Sequence, residues 1–471
     1  MLTLADIVQG LTNRRPAELE RRPTEVFVDS RTVKPDGVFI ALQGERADGH
    51  DFVRDAVENG AALVIVERPV DALSFTVDLR ADPGQVPAVL QMPAALLVPS
   101  TLGALHELAA FWRRRHTPRV IGITGSVGKT TTKELTADVL SRRFNTLKSA
   151  RSFNNEIGLP LTLLKLTDHH EQVVLEMGMY DVGEIAQLAR IALPHVGVVT
   201  IIGPVHLERA KTMERIVQAK TELVEALPPA PEGVAILNYD DPRVLGMRAT
   251  THARILTYGL SPAADLWASE IEGLGLEGVR FRLHYRDEML HVRVPLLGRH
   301  SVHTALRAAA VGVMEGLTWQ EIVEGLRAPS SQLRLVAVTG PHGSTILDDT
   351  YNASPASTIA ALNLLEELEG RKIAVLGDML ELGEHEQEGH EKVGMRAIEV
   401  VDVLITVGER GRIIGEAAKR WGSPPGGIYI LDENAKVIEL LEEIMEQGDV
   451  ILVKGSRGMR MEEIVNELGR S

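Results

Sequence analysis

Residues 119–133, Arg-Val-Ile-Gly-Ile-Thr-Gly-Ser-Val-Gly-Lys-Thr-Thr-Thr-Lys, restrict the possible folds of this chain more than any other stretch. The apolar run Val120, Ile121 and Ile123 reads as a buried strand, and Leu135, Val139, Leu140 and Phe144 keep a helical period beyond it. A strand that turns through Gly125 and Gly128 into a helix aims its first helical amides at whatever sits on the turn. Thr124, Gly125, Ser126, Val127, Gly128, Lys129, Thr130 and Thr131 therefore read as a nucleotide-phosphate cradle, in which Lys129 adds a positive charge and Thr130 a hydroxyl for magnesium. Ile123 stands where a strict phosphate loop carries its first glycine. The competing reading, a glycine turn with a solvated lysine, leaves the joint arrival of strand, turn, Lys-Thr and helix unexplained.

At 471 residues the chain exceeds one core and is expected to form about three domains. A composition of 44% hydrophobic and 24% charged residues is that of a globular protein. Acidic residues outnumber basic ones 65 to 50, and a net charge of -15 opposes binding to nucleic acid or to an anionic membrane surface. With no cysteine, disulfides, thiolate catalysis and cysteine-bound zinc are excluded. The start lacks the basic-then-apolar order of a secretion signal, and no segment reaches ~18 consecutive apolar residues. A cytoplasmic monomer without membrane insertion is expected.

In the first part, Thr3 is placed to cap a helix containing Ile7 and Leu11, and Glu25 to Val28 and Gly37 to Leu42 read as strands. They run into Asp29, Ser30, Arg31 and into Gln43, Gly44, followed by Asp48, Gly49, His50; such strand ends are where α/β folds bind ligands. A helix capped by Asp51 and a strand from Ala61 to Val66 follow, and the proline- and alanine-rich stretch from Asp82 to Pro99 marks a domain boundary. In the middle part, the strand Val173 to Leu175 delivers Glu176, a carboxylate placed as a magnesium ligand beside the phosphate loop, and Val196 to Ile202 leads to His206. Asn155 lies in an amide-rich turn between the phosphate loop and these strands, and Asn238 ends a further strand. On the predicted helix from Met213 to Leu227, Lys220 falls on the apolar stripe of Met213, Ile216, Val217, Leu223, Val224 and Leu227. A lysine there either snorkels or has a role. Near Ala328 a second boundary precedes Lys372 to Met379, Val401 to Val407, Ile428 to Leu431 and Val450 to Val453, strands of an open, mostly parallel sheet with helices on both faces.

Taken together, Thr-Gly-Ser-Val-Gly-Lys-Thr-Thr, Glu176, His206, Lys220 and the three-part layout resemble the Mur ligase family over nearly the whole chain. Within it, Phe-Asn-Asn-Glu-Ile-Gly-Leu-Pro (153–160), Glu-Met-Gly-Met (176–179), Asp-Asp-Thr-Tyr-Asn-Ala-Ser-Pro (348–355), Leu-Gly-Asp-Met-Leu-Glu-Leu-Gly (376–383) and Lys-Gly-Ser-Arg-Gly-Met-Arg (454–460) are similar to the branch that joins D-alanyl-D-alanine to UDP-N-acetylmuramoyl-tripeptide. The resemblance implies an α/β chain of three domains: a small UDP-substrate domain over 1–98, a central P-loop-type ATPase sheet over 99–328, and a Rossmann-like open sheet over 329–471 that helps hold nucleotide and dipeptide. It places Asp29, Ser30, Arg31, Gln43, Gly44, Asp48, Gly49 and His50 on the UDP-substrate motif, and Asn155, Asn238, Arg334, Asp349, Tyr351 and Asn352 around the nucleotide. It implies Lys129, Glu176, His206 and Lys220 as catalytic groups, with Thr130, Glu176, His206 and Lys220 serving two magnesium ions and Lys220 carrying a carbamate. The family pattern His-Asn-x-x-Asn reads here His300, Ser301, Val302, His303, Thr304, and Gln332 replaces a glycine before Arg334.

The expected reaction is an ATP-dependent amide synthesis through an acyl phosphate. A sister ligase with another amino acid, a folate glutamyl-adding enzyme and a nucleotide-gated binding protein share the loop. Tyr-Asn-Ala-Ser-Pro (351–355) speaks against the first two, and the joint presence of Glu176, His206 and Lys220 against the third.

Overall fold

The computed structural model describes residues 1–20, 22–44, 47–80, 90–150, 153–204, 208, 211–327 and 335–469, arranged about three sheets. In the first, β1 (Val26–Phe27), β2 (Gly37–Ile40), β3 (Ala61–Val66), β4 (Thr76–Asp78) and β5 (Ala94–Leu97) run parallel in the order β1-β2-β3-β5-β4. The second contains β6 (Arg119–Thr124), β7 (Thr146–Lys148), β8 (Gln172–Glu176), β9 (Val196–Val199), β10 (Val234–Asn238), β11 (Arg254–Gly259), β12 (Leu266–Gly273), β13 (Val279–Tyr285) and β14 (Glu288–Val294). Its order is β14-β13-β12-β11-β10-β9-β6-β8-β7, parallel from β7 to β12, with β13 and β14 added as antiparallel strands. The third sheet, β15 (Val336–Thr339), β16 (Thr345–Asp349), β17 (Lys372–Leu376), β18 (Val403–Val407), β19 (Ile428–Leu431) and β20 (Val450–Lys454), has the order β15-β16-β20-β17-β18-β19, with only β15 antiparallel.

Alternation along the strands explains why the third sheet is covered on both faces. Ala374, Leu376, Leu404 and Leu452 pack with Leu362, Leu365 and Val393 on one side, while Ile373, Val375, Ile405 and Val453 pack with Val437, Leu441 and Ile464 on the other. In the second sheet, Ile121, Ile123 and Val174 face helices Lys129–Leu140, Ser301–Met314 and Trp319–Arg327, whereas Val120, Val173 and Leu175 share a core with helix Thr101–Arg114. That core continues into Leu4, Ile7, Val38, Leu63 and Leu96, so one apolar cluster joins the first sheet to the second.

Thr3 caps helix Leu4–Thr12 as read, its side chain accepting from the Asp6 amide while Asp6 returns the contact. Asp51 does not cap the next helix: Asp48 accepts from the His50 amide and starts a single turn, Gly49–Phe52, that leads into helix Val53–Glu58. The hairpin strands β13 and β14, together with β15 and β16, were not read from the sequence, although Val279, Phe281, Leu283 and Tyr285 alternate inward along β13. Residues 81–89 of the first expected boundary and Ala328 at the second lie outside the described residues.

Helix Trp319–Arg327 backs the phosphate-loop helix so closely that a Cβ on Gly325 would stand 2.5 Å from the Val139 Cα. Gly325→Ala is therefore expected to force the two helices apart and cost about 1–3 kcal/mol by overpacking. Urea unfolding measures it, and an unchanged midpoint contradicts this close approach.

Candidate active site

The phosphate loop leaves the carboxyl end of β6 and is clamped by the end of β9. The Ser126 amide donates to the Ile201 carbonyl at 2.7 Å, the Thr200 hydroxyl donates to the Val127 carbonyl at 2.7 Å, and the Thr124 hydroxyl donates to the Met177 carbonyl at 2.8 Å. Gly128 then takes a left-handed conformation, φ 83°, and helix Lys129–Leu140 begins, with Thr131 in its first turn. A side chain is strained at that φ, which explains the glycine. The Lys129 ammonium arches back over the loop and donates to the Gly125 carbonyl at 2.8 Å.

Glu176, fully buried at the end of β8, is where the loop meets its neighbours. Its carboxylate accepts from the Thr130 hydroxyl at 2.7 Å and from the Asn154 side-chain amide at 2.8 Å. Sequence reasoning chose the adjacent Asn155, but the Asn155 Oδ1 accepts from the Gly158 amide at 2.9 Å and starts helix Gly158–Leu163. The two asparagines divide the work, one turned toward the carboxylate and one bonded to the amide of Gly158, the first residue of the helix.

Lys220 is buried on helix Met213–Glu225, between Ala219 and Leu223 in the core. Burial, and after it the positive charge of Lys129, pushes its amine well below the usual lysine pKa. It does not snorkel. The shift favours the neutral amine relative to that of an exposed lysine.

Asn238 is buried at the end of β10, its amide donating to the Thr200 carbonyl at 3.0 Å while its Oδ1 accepts from the Asp240 amide. In the third sheet, Asp349 ends β16 and receives the buried Lys454 ammonium at 2.6 Å; the same ammonium donates to the Asn352 carbonyl at 2.9 Å. Tyr351 lies under the Arg457 guanidinium, 5.6 Å from its ring centroid. His206 and Arg334 lie outside the described residues.

The UDP-motif residues gather at the carboxyl ends of β1 and β2. Asp29 starts the turn Ser30–Thr32 and pairs with Arg31 at 2.7 Å; hydrogen bonding to that guanidinium lowers the Asp29 carboxyl below its ordinary pKa. The Arg31 side chain is 85% exposed, so it is available to a further anion. Ser30 is buried, and its carbonyl accepts from Asn59. Gln43 bridges to Asp48, Gly44 donates to the Ala47 carbonyl, and Gly49 donates to the Leu42 carbonyl. Both His50 ring nitrogens are engaged: Nε2 accepts from the Glu67 amide at 2.9 Å, so Nδ1 carries the proton and donates to Asp48 at 2.6 Å.

Family models described as Mur ligase middle domain, Mur ligase glutamate ligase domain, and Mur ligase family catalytic domain match residues 123–312, 333–457 and 23–113. The chain is 36% identical to the UDP-N-acetylmuramoyl-tripeptide--D-alanyl-D-alanine ligase of Bacillus subtilis, covering 99% of this chain and 97% of that protein. A crystal structure of MurF from Acinetobacter baumannii superposes with a TM-score of 0.84 at 31% identity, covering 99% of this chain and 98% of that one. MurF ligase from Thermotoga maritima in complex with ADP superposes with a TM-score of 0.78 at 28% identity, covering 95% of this chain and 97% of that one.

Thr200→Val keeps the shape of the side chain and removes the hydroxyl that holds the Val127 carbonyl. A loss of about 1 kcal/mol is expected, with faster amide hydrogen exchange confined to residues 125–129. Unchanged exchange in the loop contradicts the clamp.

Proposed function

The chain belongs to the Mur ligase family, and from that membership we propose that it joins D-alanyl-D-alanine to UDP-N-acetylmuramoyl-tripeptide while converting ATP to ADP and phosphate. The observation that carries this reading is the buried Glu176 carboxylate bonded to Thr130 at the foot of the phosphate loop. A loop that only sequesters phosphate has no need of that second oxygen donor. The product is a precursor of peptidoglycan.

The chemistry follows from the weakness of a carboxylate as an electrophile. Transfer of the γ-phosphoryl group of ATP to the terminal carboxylate of the tripeptide gives an acyl phosphate and ADP. The dipeptide amine then attacks the acyl carbon, the tetrahedral adduct expels phosphate, and the amine proton passes to solvent. Negative charge accumulates on phosphoryl oxygens, so stabilisation is electrostatic. Lys129 supplies it by exchanging the Gly125 carbonyl for a phosphoryl oxygen.

Magnesium fits the donors present. Thr130 and Glu176 offer hard oxygens, and a magnesium ion shared with substrate phosphates needs only one or two protein carboxylates. Among the described residues no group of three or more His, Asp or Glu forms a closed cage, which suits an ion held jointly with ATP. When bound, it neutralises developing phosphoryl charge. Two ions are proposed, with Thr130, Glu176, His206 and a carbamate on Lys220 as ligands; burial, which lowers the Lys220 pKa, supports carbamate formation, because that reaction requires the free base. Asn155, Asn238, Arg334, Asp349, Tyr351 and Asn352 are proposed around the nucleotide.

The UDP-substrate is assigned to Asp29, Ser30, Arg31, Gln43, Gly44, Asp48, Gly49 and His50, and the domains to 1–98, 99–328 and 329–471. Both sets rest on motif positions and on strand ends of the first sheet. Among the described residues no helix is long and apolar enough to cross a membrane. We propose a monomer, since a single chain carries every proposed group, and a cytoplasmic reaction, since its proposed substrates are ATP and a UDP-linked precursor.

ADP release is expected only when UDP-tripeptide and D-alanyl-D-alanine are both present, and Lys129→Ala lowers kcat by about 100-fold or more. Release at the wild-type rate with ATP alone contradicts a ligase. For the carbamate, Lys220→Ala is expected to lose activity and regain part of it with formate or acetate, which can enter the vacated space as an anionic ligand. Labelled bicarbonate gives an independent readout, a carbamate carbon resonance in the wild type that the variant lacks. A folded variant without rescue, and a wild type without the resonance, contradict it.

A further inference from the structure

Among the described residues, Arg307 is a buried cation with no counterion. It lies on helix Ser301–Met314, is 5% exposed, and its guanidinium stands over the phosphate loop: a Cβ on Gly128 would lie 3.1 Å from its Nη2. Its protein contacts are neutral. Nη2 donates to the Thr304 hydroxyl at 2.7 Å, Nη1 reaches the Tyr258 hydroxyl at 3.5 Å, the Tyr258 ring lies 5.7 Å away, and the buried Nε has no partner. The Tyr258 hydroxyl is committed to the Val199 and Thr200 carbonyls, at 3.0 and 2.8 Å, so it meets the guanidinium with a lone pair and adds no charge.

A buried charge without an opposite partner is strongly unfavourable. The chain carries 65 acidic residues, yet among the described residues none forms an ion pair with Arg307. An anion that arrives with a ligand resolves the imbalance, and the loop that the guanidinium touches is built for phosphate. Arginine suits this role because its planar fork bonds two phosphate oxygens at once. The neighbouring sequence agrees. Where the family pattern has asparagines, this chain has Ser301 and Thr304; the Ser301 hydroxyl is turned to the Leu297 carbonyl, and Thr304 holds Arg307.

We propose that Arg307 binds the phosphate chain of the nucleotide on the loop at Gly128, as a second cation beside Lys129. The inference rests on the nucleotide site of the proposed function. It is tested by calorimetric titration of the full chain with ADP and with adenosine in the presence of magnesium, the readout being the ratio of the two affinities. A general loosening of the loop lowers both affinities together and leaves that ratio unchanged. In Arg307→Met the ratio is expected to fall about tenfold or more, the value of a charge-assisted hydrogen bond. In Arg307→Lys, which keeps the charge inside the fold and loses the fork, it falls about threefold. An unchanged ratio in either folded variant overturns the inference and leaves Arg307 as a brace beneath the loop. If Arg307→Met does not fold, the lysine variant decides alone. A wild-type chain that binds neither compound removes the nucleotide site itself, and the inference with it.

Discussion

One buried carboxylate sets the terms for the middle of this molecule. Glu176 ends β8 without solvent, and a charge in that position needs donors fixed by the fold. Thr130 reaches it from the first turn of the phosphate-loop helix and Asn154 from the turn before helix Gly158–Leu163, so three separate segments are held by a single side chain. The same convergence leaves two oxygens, one hydroxyl and one carboxylate, where a magnesium nucleotide is proposed to sit.

Cationic groups are distributed on the opposite principle. Lys129 donates to loop carbonyls that a phosphate can replace, burial and then the charge of Lys129 lower the Lys220 pKa, and among the described residues Arg307 touches only neutral groups. Each is costly in isolation, and each becomes favourable once an anion or a carbamate is present. The Lys454 ammonium is paired with Asp349 and anchors the end of β16 to β20. The net charge of -15 makes such local positive character conspicuous. Local cations of this kind are what an acidic protein needs if it is to bind anionic ligands such as ATP and a UDP-linked substrate.

The phosphate loop was legible because strand, glycine turn and helix carry independent local signals, and the structure begins the helix at Lys129 as those signals require. Strand Ala61–Val66 and strand Ile428–Leu431 fall where apolar runs between turn residues placed them. Lys220 was visible as a charge on an apolar stripe, and the structure buries it. Asn154 was not separable from Asn155, because neighbouring amides in a turn differ only in which way the backbone aims them. Tyr258, Thr200 and Arg307 were missed for a related reason: the contacts of the Thr200 hydroxyl with Val127, of the Tyr258 hydroxyl with Val199 and Thr200, and of Arg307 with Tyr258 span 49 to 73 residues of sequence. Local periodicity carries no record of such contacts. The signal that would have found Arg307 was its position as a lone charge in an alanine-rich helix, Ser301–Met314, that otherwise reads as buried.

The central claim is that a carboxylate is activated by phosphate at the loop bounded by Lys129 and Glu176. Oxygen-18 placed in the terminal carboxylate of the UDP-linked tripeptide tests it most directly, with ATP and D-alanyl-D-alanine as the other substrates and mass spectrometry of the released phosphate as the readout. The account predicts one labelled oxygen in that phosphate, carried there as the acyl phosphate collapses, together with a product heavier by one dipeptide less water. Unlabelled phosphate alongside the same amide product would contradict it.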